Sequence, residues 1–255
     1  MNSKRKKKKF NLIIGLIILI PCYFFQKSFF SHKQEKRIIQ NNYDVLQKLE
    51  EVDVANVEKK ITEKHKLNDK KYGENWKKVS NKIYFEESVF MGDSITEGLD
   101  FYDIVNKSSV LAKKGLDVVQ AKDAVSALSS INPKRIFILY GMNDLQRFEN
   151  PDDFKENYIK LVQAIKQTVP SVEIYLQSLT PVQAKVQQKD HSFSQDRIDK
   201  FVEQVIEVAK QENVHYIDIK SVVVDRDDLY EPDGMHFTME FYGLWLNYLK
   251  NQLET

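Results

Sequence analysis

The sequence predicts an α/β fold, a three-layer α/β/α sandwich around a parallel sheet of about five strands. Two observations carry this. From about residue 85, five short β-rich apolar runs recur, and amphipathic stretches of helical period separate them. Strands alternating with helices call for right-handed crossovers, which cover both faces of a parallel sheet. A third observation locates function: Gly-containing polar segments follow the first three runs, and another precedes the last helix. In such sheets ligands bind beyond the carboxyl ends of the strands.

The chain begins with a basic run, Lys4-Arg5-Lys6-Lys7-Lys8-Lys9, followed by residues 10–25, which carry no charge. Sixteen helical residues span about 24 Å, slightly less than the ~30 Å hydrocarbon core. Continuing to Phe30 lengthens the segment enough to cross, with Lys27 reaching toward the headgroups. Residues 1–9 thus read as a cytoplasmic segment and 10–30 as a transmembrane signal anchor, because basic flanks stay inside; everything beyond is then extracytoplasmic. Cys22-Tyr23-Phe24-Phe25 lacks the small residues of a cleavage site. A cleaved signal and a lipid-modified Cys22 are the alternatives. Residues 31–80 are highly charged, with Val45, Leu49, Val52 and Ile61 at loose helical spacing, and read as a helical stalk or linker.

The remaining segment, 81–255, holds the alternating pattern. Its strand candidates are Ser88-Val89-Phe90-Met91, Ser109-Val110-Leu111-Ala112, Ile136-Phe137-Ile138-Leu139-Tyr140, Val172-Glu173-Ile174-Tyr175-Leu176 and the run from Val214 to Ile219. Helices are expected near 117–130, 152–168, 194–211 and 238–252.

Composition narrows the function classes. With 42% hydrophobic and 29% charged residues the chain is of ordinary globular type. One cysteine permits no internal disulfide, and His32, His65, His191, His215 and His236 show no metal-site spacing. The net charge of +1 falls to −5 once the six basic residues at 4–9 are set aside. A mildly acidic body argues against nucleic acid as a partner.

The four polar segments are Gly92-Asp93-Ser94-Ile95-Thr96-Glu97-Gly98, Lys114-Gly115-Leu116, Gly141-Met142-Asn143-Asp144 and Asp233-Gly234-Met235-His236. A hydroxyl needs a base to take its proton and a third group to orient that base. Ser94 at a strand-to-helix turn, His236 as base and Asp233 three residues before it supply the three roles. Attack on an ester carbonyl also creates an oxyanion, for which the Ser94 and Gly115 N–H groups and the Asn143 amide are candidate donors. Each segment also has a plainer structural reading. Ser94 and Glu97 have capping-box spacing, Gly115 and Asn143 suit turns, and His236 could cap the last helix. Four such segments in order, each beyond a strand, favour catalysis. His215 reads as a strand residue and His191 as a loop residue.

On these blocks the chain resembles the SGNH hydrolases, or GDSL esterases/lipases, over about residues 85–252. Gly92-Asp93-Ser94-Ile95-Thr96 looks like the nucleophile block. Gly115 corresponds to the second block, Gly141-Met142-Asn143-Asp144 to the third and Asp233-Gly234-Met235-His236 to the last. Many members carry a further glycine where this chain has Val118. The resemblance implies a flavodoxin-like sandwich that needs no metal or organic cofactor. With the triad it points to a serine esterase that removes short acyl or acetyl groups, and the extracytoplasmic location suggests envelope glycans or related small esters as its substrates. An O-acyltransferase sharing the acyl-enzyme is the alternative. A lysophospholipase or lipase suits the polar 180–194 loop less well, and a catalytically dead binding module would not have retained all four blocks.

Overall fold

The computed structural model describes residues 79–254. The basic segment, the apolar 10–30 segment and the stalk up to residue 78 lie outside the described residues. Within them, no helix is long and apolar enough to cross a membrane.

A short helix α1 (Asn81–Tyr84) leads into strand β1 (Ser88–Gly92) and helix α2 (Ser94–Phe101). Strand β2 (Val110–Ala112), the single turn α3 (Leu128–Ile131) and strand β3 (Arg135–Leu139) follow. Helices α4 (Asp144–Arg147) and α5 (Pro151–Thr168) then lead to β4 (Glu173–Gln177). Helices α6 (Ala184–Lys189) and α7 (Gln195–Gln211), strand β5 (His215–Ile217) and helix α8 (Met239–Leu253) complete the chain. All five strands are parallel, in the order β2-β1-β3-β4-β5. The order reverses between β1 and β3, which makes their carboxyl ends the switch point where such sheets bind ligands.

The long helices form where the sequence places them, for local reasons. In α5, Asn150 accepts the Asp152 N–H, Pro151 sits at the first helical position, and Asp152 and Asp153 face the positive end of the dipole. Phe154, Tyr158, Leu161, Val162 and Ile165 make its buried stripe. In α7, Ile198, Phe201, Val205 and Val208 do the same, and Phe154 stacks on Phe201 at 4.8 Å. Register aligns Phe90, Phe137, Tyr175 and His215 across four strands. Their rings stack at 5.0, 5.1 and 4.6 Å, a cross-strand ladder that α8 meets through Trp245.

Three elements differ from the sequence expectation. The 117–130 stretch is a 3-10 run, Gln120–Ala127, with only one α turn after it. It is pinned at its start, where Asp117 accepts the Val119 and Gln120 N–H groups, and ends at left-handed Asn132. A 3-10 coil rises about 2.0 Å per residue against 1.5 Å in an α-helix, so it bridges a longer gap. Strand β5 stops at Ile217 because the Asp218 carboxylate accepts the Lys220 N–H and starts a 3-10 turn. The polar 180–194 loop holds helix α6, and its Phe193 is buried.

Candidate active site

The register of β1 and β3 sets the site. Gly92 lies opposite Leu139, so the segments after the two strands emerge side by side. Gly92 permits this crowding: a Cβ there would lie 2.0 Å from the Thr96 hydroxyl and 2.8 Å from the Leu139 carbonyl. Asp93, not Ser94, is the N-cap of α2, its carboxylate accepting the Ile95 N–H at 3.0 Å. Ser94 becomes the first helical residue, half-buried, with its hydroxyl toward the last loop.

That loop brings the imidazole. Ser94 Oγ and His236 Nε2 are 2.9 Å apart, and His236 Nδ1 is 2.5 Å from Asp233 Oδ2. The other Asp233 oxygen, Oδ1, accepts the N–H groups of Met235 and His236, both at 2.9 Å. Partial burial pushes the Asp233 carboxyl up, but the His236 ring and these two N–H groups outweigh it and bring it down to about 2. Asp233 is therefore a carboxylate at neutral pH, and an imidazole holding its proton on Nδ1 has Nε2 free to accept from Ser94. Hydroxyl, imidazole and carboxylate, 142 residues apart between the first two, form one hydrogen-bonded line.

The candidate oxyanion donors have distinct surroundings. The N–H groups of Ser94 and Gly115 have no hydrogen-bond partner among the described residues. Gly115 has φ +82, a conformation that side chains strain to adopt, and open space beside it. Its loop is tied on both sides: Glu97 Oε2 accepts the Lys114 N–H at 2.9 Å, and Asn143 Nδ2 donates to the Leu116 carbonyl at 3.0 Å. Asn143 Nδ2 also donates to Asp93 Oδ2 at 3.0 Å. Val118 is fully buried, and its N–H donates to Asp144 Oδ1. The capping-box reading of Glu97 is thus replaced: its carboxylate tethers the Gly115 loop. His236 likewise does not cap the last helix, whose N-cap is Thr238.

Sequence reasoning missed this bracing. Asp93 is 2% exposed, and burial raises its carboxyl to about 6 against the opposing pull of the Ile95 N–H, His236 and Asn143. Asp144 is fully buried, and burial raises it to about 7 despite the Val118 N–H, with Asp117 and Asp93 adding to the rise. Both lie within quoted motifs, but nothing in their spacing announces burial. Of the other histidines, His215 stacks on Tyr175 and His191 is exposed.

Among the described residues, two cavities have Ser94 in their walls. One of about 240 Å³ is lined by Ser94, Ile95, Met142, Asn143, Phe193 and Met235, among others. The other, of about 470 Å³, has both Ser94 and His236 in its wall.

Comparisons with known proteins bear on the family and the fold. Residues 90–244 match the model of the GDSL-like Lipase/Acylhydrolase family. No curated protein matches the chain in sequence. Among solved structures, a GDSL-like lipase from Bacteroides thetaiotaomicron superposes with a TM-score of 0.54 at 20% identity, covering 73% of this chain and 97% of that one. The lipase/acylhydrolase from Enterococcus faecalis gives 0.51 at 19% identity, over 66% and 95%. A carbohydrate esterase family 3 structure from Talaromyces cellulolyticus gives 0.51 at 14% identity, over 66% and 95%. These likenesses establish the shared fold. The family match covers more than half of the chain, and with it the protein belongs to the GDSL-like lipase/acylhydrolase family of serine hydrolases.

Proposed function

We propose that the protein is a membrane-anchored, extracytoplasmic esterase that removes short acyl groups, acetyl among them, from cell-envelope glycans or related small esters. The observation carrying the catalytic part is the line from Ser94 Oγ through the His236 ring to Asp233 Oδ2, at 2.9 and 2.5 Å. In this reading Ser94 Oγ attacks the ester carbonyl as His236 Nε2 takes its proton. The carbonyl oxygen becomes an anion, held by the N–H groups of Ser94 and Gly115. Asn143 joins them by exchanging its bond to the Leu116 carbonyl for one to the oxyanion, while Asp93 keeps its hold on the amide. Collapse expels the alcohol, which receives the proton from His236. Water then repeats the sequence and releases the acid.

The short acyl group is favoured by the smaller cavity, whose 240 Å³ lies beside Ser94 and Asn143. Membrane attachment and outside location draw on the basic run at 4–9 and the uncharged residues that follow it.

A fluorophosphonate probe tests the nucleophile: the wild type is expected to label, and Ser94→Ala to lose the label while remaining folded. Labelling that survives in Ser94→Ala would place the nucleophile elsewhere. p-Nitrophenyl esters of increasing chain length test the acyl preference, with acetyl and propionyl expected to exceed octanoyl in kcat/KM. Running the acetyl ester with and without an acceptor glycan separates water from a sugar hydroxyl as the second substrate. Acyl transfer that exceeds release would favour the acyltransferase.

A further inference from the structure

The larger cavity on Ser94 has features the esterase chemistry does not require. In a serine esterase the departing alcohol must take its proton from the imidazole, so it sits on the histidine side of the nucleophile. The cavity of about 470 Å³ is the one whose wall holds both Ser94 and His236, and its volume lies in the range of small-molecule sites. At its lip stands Phe101, the last residue of α2, 80% exposed. Packing does not explain an aromatic ring left in water on the wall of the cavity that holds the nucleophile: among the described residues its only ring contact is with Tyr102, at 4.8 Å and near-perpendicular. At 80% exposure most of the side chain is open to a ligand.

Around that ring the wall is rich in hydrogen-bond acceptors. Glu97, Asp100 and Glu231 all line the cavity, and among the described residues no lysine or arginine does. Glu231 is tied to the catalytic loop, its N–H donating to the His236 carbonyl at 2.8 Å. Its Oε1 accepts the Tyr102 hydroxyl at 3.1 Å, which leaves Oε2 for another donor. Among the described residues the Asp100 carboxylate meets only Lys107, at 3.4 Å, and Lys107 is itself 86% exposed. An exposed aromatic ring suits the apolar C–H face of a pyranose ring, and carboxylates accept its hydroxyls. The same carboxylates repel phosphate and carboxylate groups.

We propose that this cavity is the alcohol subsite, that Phe101 is its stacking platform, and that the alcohol it takes is a neutral sugar, with Asp100 and Glu231 receiving ring hydroxyls. The proposal rests on the esterase reading and adds the class of leaving group. Phe101 is a specificity residue here and takes no part in the bond-making steps.

The test compares acetylated methyl glucoside, acetylated methyl glucuronoside, acetylcholine and methyl acetate on the wild type, Phe101→Ala and Phe101→Trp. The glucoside is expected to exceed the glucuronoside in kcat/KM, and acetylcholine tests whether the acidic wall takes a cation instead. Phe101→Ala is expected to raise KM for the glucoside by about five- to tenfold relative to its effect on methyl acetate, with Trp restoring it. Equal losses on both esters would overturn the platform. Preference for the glucuronoside or for acetylcholine would overturn the neutral sugar. Turnover of methyl acetate without turnover of any sugar ester would sink the subsite and leave the hydrolase intact. Failure of every ester would sink both.

Discussion

Asp233 does its work by orientation. With its carboxyl brought down to about 2 by the His236 ring and two backbone N–H groups, against partial burial, it is ionised throughout the range where an esterase operates. Activity lost on acidification between pH 7 and pH 4 therefore cannot be ascribed to protonation of Asp233. Asp233→Asn would keep an oxygen for the Met235 and His236 N–H groups but present an amide N–H to Nδ1. The ring would then carry its proton on Nε2, facing Ser94 with a donor where an acceptor is needed. The expected result is a fall in kcat of about 10³–10⁴ with KM little changed, and His236→Ala is expected to lose at least as much. Steady-state kinetics on p-nitrophenyl acetate measures both. Near-normal turnover in His236→Ala would mean that another base serves Ser94.

At the scale of elements, the site depends on a loop held from two directions. Lys114 and Leu116 flank Gly115, and their peptide groups are bound by Glu97 of α2 and by Asn143 beyond β3. The nucleophile helix thus positions its own oxyanion donor through a carboxylate one turn along. Removing the acceptor in Glu97→Ala should release the Lys114 N–H and let Gly115 wander. A lost hydrogen bond to a charged group corresponds to about 1.5–3 kcal/mol, or roughly 10–150-fold in kcat if all of it falls on the transition state. Glu97→Gln, which retains an oxygen acceptor, should recover most of the loss. Hydrogen exchange at Lys114 supplies an independent readout, faster in Ala than in Gln; unchanged exchange in Glu97→Ala would dismiss the tether. The spacing of Ser94 and Glu97 was legible as a helix start, and the helix is there. Its partner was not legible, because Lys114 is 17 residues away at the end of another strand and no local pattern links them. The 180–194 loop failed in the same way: its many polar residues concealed that Val186 and Phe193 pack inward.

Across the whole molecule, the α/β class and the five parallel strands were readable because apolar period and turn chemistry agree along the chain; three motif blocks follow β1, β2 and β3 directly, and the last lies in the long loop between β5 and α8. Hidden from the sequence was the charge beneath the site. Asp93 and Asp144 have ordinary carboxylate side chains, and only the assembled fold removes them from water. Asp144 shows the consequence for stability most cleanly, since its Oδ2 is buried without a partner among the described residues and its Oδ1 holds the Val118 N–H. Burial raises its carboxyl from 3.8 to about 7. The folded protein then keeps a proton that the unfolded chain has lost between about pH 4 and pH 7. Asp144 is therefore most compatible with the fold at low pH, and its contribution to stability falls as pH rises from about 4 to about 7 and levels off above that. Asp144→Asn carries no charge at any pH, and its oxygen can still accept from Val118. Any fixed packing or hydrogen-bond cost of the amide is the same at both ends of the range and cancels in the comparison. Urea denaturation should therefore find Asp144→Asn favoured over the wild type by about 2–3 kcal/mol more at pH 8 than at pH 5. A difference that does not change with pH would mean that the folded protein leaves the Asp144 carboxyl near its ordinary value, and that the ground beneath the site is wetter than its burial indicates.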